Sequence, residues 1–73
     1  MTVADARSLV QQFGSTMDFN ETMIIVAGLS MELKVGASGD TWVAWLVGKD
    51  GSASGTGDNP LDATRSALRR YFA

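Results

Sequence analysis

Apolar residues recur at helical spacing over residues 3–13, where Val3, Ala6, Leu9, Val10 and Phe13 share one face. Thr2 is placed to cap that helix, and Asp5 holds the capping-box position three residues on. Gly14 is expected to end it in a left-handed conformation. The pattern then changes. Thr22 to Ala27 form a continuous apolar run rich in β-branched residues, which predicts a strand buried on both faces. Residues 29–35 alternate, with Leu29, Met31, Leu33 and Val35 pointing one way and Ser30, Glu32 and Lys34 the other. Only Gly28 separates the two runs, as a bulge in one long strand or as a tight bend. A further reading begins the first strand near residues 17–19, with Asn20 and Glu21 in a turn.

Residues 36–40 carry two glycines, a serine and an aspartate, and read as a turn. Thr41 to Val47 follow as a strand with Trp42, Ala44 and Leu46 on one face and Val43, Trp45 and Val47 on the other. Lys49-Asp50-Gly51 is a hairpin signal, and residues 52–56 return as a short edge strand whose small side chains let a helix pack close. The last element is a helix. Asn59 caps it, Pro60 takes the first helical position and Asp62 lies in the first turn. Leu61, Thr64, Leu68, Tyr71 and Phe72 form its apolar face, with Ala67 at the edge. The predicted fold class is α+β in the order α-β-β-β-(β)-α, a single domain over residues 1–73 with a three- to four-stranded antiparallel sheet and two helices packed on it. Strands apolar on both faces leave two arrangements: helices on opposite faces, or both helices on one face with the other face an interface. In the second, one of Trp42 and Trp45 is left for a partner, because three positions apart on a strand they face opposite ways.

Composition narrows the chemistry. The 73 residues include no cysteine and no histidine, so disulfides, a cysteine zinc site and any imidazole- or thiol-dependent catalysis are excluded. Paired carboxylates for acid–base work are not evident, since the acids are dispersed beside turns and caps. No enzyme activity and no cofactor are therefore expected. A chain this short buries only about 60% of the surface it exposes when unfolded, so self-association or a larger partner is a natural supplement to its core. The longest apolar runs, residues 23–29 and 42–47, fall well short of the roughly 18 residues a membrane span needs. With no signal-peptide pattern at the start, a cytoplasmic protein is expected.

Two glycine-bearing segments resemble binding loops without completing one. Asp50 to Gly55 opens like a calcium loop, but Leu61 stands where the bidentate glutamate belongs. Gly51 to Gly57 precedes a helix like a phosphate cradle, but it lacks the lysine, and Asp58 and Asp62 flank the helix start. The element order invites comparison with double-stranded-RNA-binding domains, whose second helix opens with lysines; here the same two aspartates stand there.

Charge is unevenly placed. Residues 1–64 hold all eight acids and three bases, a balance of −5, whereas residues 65–73 hold Arg65, Arg69 and Arg70, a balance of +3. An acidic surface meeting a basic partner is one reading, and nucleic-acid contact through Arg65, Arg69 and Arg70 is the alternative, disfavoured by the overall acidity.

Residues 54–68 run from Ser-Gly-Thr-Gly through Asn59-Pro60 to Ala67-Leu68. This segment resembles the tail of small phage and prophage proteins of the ABA-sandwich kind and, more loosely, HicB-type antitoxins, in which Pro-x-x-Ala-x-x-Ala-Leu opens a final helix. The resemblance implies a helix packed close on a sheet and transfers no active residue. In size, acidity and lack of catalytic groups the chain is similar to phage-encoded inhibitors, anti-CRISPR proteins among them. The function expected on these grounds is a non-enzymatic inhibitor that occludes a surface of a host defence protein, with a CRISPR effector subunit as one such partner. Its candidate contacts are Glu21, Glu32, Asp40 and Asp50 with an exposed Trp42 or Trp45. The competing expectations are the arginine-helix nucleic-acid binder and a homo-oligomeric phage structural protein, a homodimer being its simplest form.

Overall fold

The computed structural model describes all 73 residues. Its elements are α1 (Val3–Phe13), α2 (Phe19–Gly28), β1 (Glu32–Ser38), β2 (Thr41–Gly48), β3 (Gly51–Gly57) and α3 (Pro60–Tyr71). The class is α+β, in the order α-α-β-β-β-α, with three helices rather than two and three strands with no fourth.

The expected strand over residues 22–27 is a helix. A continuous apolar run does not distinguish the two by periodicity, and here the local signals decide. Asp18 accepts from the Glu21 backbone N–H at 2.8 Å, and Glu21 accepts in return from the Asp18 N–H at 3.2 Å, a complete capping box. Thr22, Ile25 and Val26 are then buried at helical spacing while Ile24 and Ala27 turn outward. The helix closes on Ser30, which takes φ +53. The Met31 N–H reaches the Val26 carbonyl at 2.9 Å and the Ser30 N–H reaches that of Ala27 at 3.1 Å. Those two bonds make a Schellman motif, so the chain reverses at Ser30, and Gly28 is the last helical residue rather than a bulge or bend between strands.

The alternating segment starts later and runs on longer than expected. Leu29 caps α2, β1 begins at Glu32, and Gly36, Ala37 and Ser38 belong to the strand. The turn shrinks to Gly39 and Asp40 between the paired residues Ser38 and Thr41. Gly39 there has φ +63, as the first position of a tight hairpin turn requires. The β2–β3 hairpin and β3 itself form as expected. In α1, Thr2 caps as expected, accepting from the Asp5 N–H at 3.1 Å. Gly14 differs: its φ of −56 is right-handed, and its lack of a side chain is used for space, since a Cβ would come within 2.9 Å of the Arg69 side chain.

The sheet is an antiparallel meander, β1-β2-β3. Its inner face presents Leu33, Trp42, Ala44, Leu46, Ala53 and Gly55, and all three helices lie on that side. One core joins Ala6 and Val10 of α1, Ile25 and Val26 of α2, Ala44 and Leu46 of β2, and Ala63, Ala67, Leu68 and the adjoining Phe72 on α3. Helix α3 sits close because β3 makes room: a Cβ on Gly55 would come within 2.6 Å of Ser66. The α1–α2 pair is tied to α3 by two long-range bonds. Gln11 Nε2 donates to the Phe72 carbonyl at 3.0 Å, and Arg65 Nη1 donates to the Met17 carbonyl at 2.8 Å.

A candidate protein-binding face

Register fixes what the sheet shows on its other side. Directly paired residues share a face. The outer face therefore carries Glu32 and Lys34 from β1, Val43, Trp45 and Val47 from β2, and Ser52, Ser54 and Thr56 from β3. No helix covers it. Trp45 and Val47 are each 48% exposed. The Trp45 ring reaches across the neighbouring strand, where a Cβ on Gly36 would lie 3.7 Å from it. Trp42 is the inward tryptophan, partly buried against the core. Of the two arrangements open from the sequence, the structure has the one with helices on a single face, and Trp45 is the exposed aromatic.

The candidate acids do not form one cluster. Glu32 is paired with Val47, and Asp50 sits in the turn just beyond it, so these two stand at one end of the outer face. Asp40 stands at the other end, beside Thr41, and Asp58 follows Gly57 there. Glu21 is apart from all of them, on the first turn of α2, where its carboxylate serves the capping box. Lys34 stands on the face itself, Lys49 precedes Asp50 in its turn and Arg70 lies beside Ser54 and Thr56 at the β3 edge, so carboxylates stand at both ends with cations among them.

The three arginines are also divided. Arg65 is held by Asp62 and by the Met17 carbonyl, with its side chain partly buried. Arg69 folds against Gly14 and donates to Ser66 Oγ at 3.3 Å. Arg70 lies on another side of α3, beside Ser54 and Thr56. They offer no continuous cationic strip to a phosphate backbone.

A second apolar surface was not legible in the sequence. Leu9, Phe13 and Ile24 are all partly exposed and, with Met1 and Met17, line a shallow hollow between α1 and α2. The periodicity of residues 3–13 assigns Leu9 and Phe13 to the buried face, but α1 buries only Ala6 and Val10. A signal did exist: an amphipathic helix next to an apolar run read as a second helix would have more apolar face than a small sheet covers. The largest hollow, about 340 Å³, lies where Met1, Leu29, Met31 and Tyr71 meet Lys49 and Asp50. No group of three potential metal ligands is brought together. No helix is long and apolar enough to cross a membrane.

No family model matches the chain, and neither a curated protein nor a solved structure matches it.

Proposed function

We propose that this chain is a non-enzymatic interaction module that seats the outer face of its sheet on another protein and occludes the surface it covers. The observation that carries this reading is the row Val43, Trp45 and Val47, an apolar strip with a half-exposed tryptophan on a face no helix covers. Buried tryptophans dominate binding energy at protein interfaces, and Trp45 is presented on a rigid central strand at little ordering cost. The carboxylates Glu32 and Asp50 at one end, and Asp40 at the other, specify the partner's chemistry: a flat apolar centre edged by lysine or arginine. Glu21 has no part in this contact. The resemblance of residues 54–68 to phage proteins, and the likeness to small acidic inhibitors, make host defence proteins with basic surfaces the first partners to try.

The test is affinity capture with the chain and its Trp45→Ser variant at low and high salt. A partner retained by the wild type, lost by at least about tenfold in affinity in the variant and weakened by salt is the expected result. A partner held equally by the variant, or no stoichiometric partner at all, overturns the reading.

A further inference from the structure

The edge of the sheet carries an inference independent of its face. β1 and β3 are the two edge strands. Lys49 and Asp50 form a two-residue connection, so Gly48 and Gly51 are the closing pair of the β2–β3 hairpin. Bonded and non-bonded pairs alternate in an antiparallel ladder. Gly51, Ala53, Gly55 and Gly57 therefore turn their N–H and C=O groups toward β2, and Ser52, Ser54 and Thr56 turn theirs outward. None of these three residues enters the backbone bonds made outside the helices and strands, and all three are exposed. Natural sheets blunt such an edge with charge, proline or a bulge. β1 carries Glu32 and Lys34, whereas β3 has neither charge nor proline and keeps an unbroken register with β2.

We propose that β3 pairs with β3 of a second copy, antiparallel about a two-fold axis at Ser54, giving one six-stranded sheet. The strand is nearly self-complementary about that residue: Gly51 meets Gly57, Ser52 meets Thr56, Ala53 meets Gly55, and Ser54 meets itself. The axis falls on an outward-facing residue. Ser54 with its copy, and Ser52 with Thr56 on either side, thus become bonded pairs, for about six new backbone hydrogen bonds.

The placement of α3 fits the same axis. This helix runs antiparallel over β3, with Asp62 against Gly57 and Ser66 against Gly55, while Ser66 and Arg70 line the crevice beside Ser54 and Thr56. Asp62, Ser66 and Arg70 are spaced by four and form one row along the free edge. Two-fold pairing lays the two copies of α3 antiparallel, with the stretch from Ser66 to Arg70 of each nearest the axis. Ser66 of each copy then stands near Arg70 of the other, the small serine leaving room for the usual separation of about 8–10 Å. The contact uses the same surface on both copies and closes on itself.

Sedimentation from micromolar to millimolar concentration, with amide exchange of Ser52, Ser54 and Thr56 read by NMR on the same samples, tests this. A concentration-dependent dimer with those three amides protected is expected. Ser54→Pro removes an outward N–H that an edge position does not need in the monomer. It is expected to raise the dimer dissociation constant at least about tenfold. Ser54→Lys places like charges face to face on the axis and is expected to act the same way should the proline variant fail to fold. A chain monomeric at millimolar concentration, a dimer in which the three amides exchange freely, or a dimer that both folded variants leave unchanged overturns the proposal. Trp45→Ser leaves this dimer intact, so its failure and that of the face reading are separable.

Discussion

Single residues in this chain settle where it turns and how closely it packs. Ser30 is the one non-glycine residue with positive φ, and it stands at the reversal that ends α2. A left-handed conformation costs an L-residue up to about 1–2 kcal/mol and glycine almost nothing. Ser30→Gly is therefore expected to stabilise the fold by about 0.5–1 kcal/mol, seen as a rise of several degrees in the thermal midpoint. The gain is partly offset by the greater freedom glycine has in the unfolded chain. Gly55 shows the opposite constraint: its φ is ordinary, and it is glycine because Ser66 and Ala67 of α3 occupy the place of a side chain.

At the scale of elements, the helix over Phe19–Gly28 shows how a strong hydrophobic signal misleads. The run from Thr22 to Ala27 has β-branched residues suited to a strand, yet the helix start is fixed by the carboxylates of Asp18 and Glu21, each accepting from the other residue's backbone N–H. Asp18→Ala removes that box and is expected to cost about 1 kcal/mol, measured by chemical denaturation, with the loss of helical signal largest at α2. The spacing Asp18-x-x-Glu21 is present in the sequence and marks the helix start, and it gives Glu21 a capping role rather than a place on a binding surface. Elements with two agreeing local signals were legible: α1 with Thr2, α3 with Asn59 and Pro60, and the β2–β3 hairpin with its small-residue return strand. The start of β1 was not, because alternation through Leu29 and Met31 continues the strand pattern across a helix cap.

For the molecule as a whole, the decisive fact is that three helices share one side of a three-stranded sheet. The sequence shows that β2 is apolar on both faces, but not which face meets the helices, since that depends on where α1 and α2 pack. Neighbours on β2 should accordingly differ sharply when altered. Leu46, fully buried, is expected to cost about 3 kcal/mol on truncation to alanine, while Val47→Thr, on the outer face, stays within about 0.5 kcal/mol. Denaturant titration of the two variants distinguishes this one-sided arrangement from a sheet buried on both sides, in which both changes are costly. The candidate site was legible to the same extent. The opposed tryptophans were visible in the sequence. The separation of Glu21 from the other acids, and of Arg70 from Arg65, required the fold.

The alternation along β2 also divides the strand between two kinds of constraint. Ala44 and Leu46 are closed into the core, whereas Val43, Trp45 and Val47 stand outside it. Substitution in the second set therefore changes what the strand shows to its surroundings while leaving thermodynamic integrity nearly untouched.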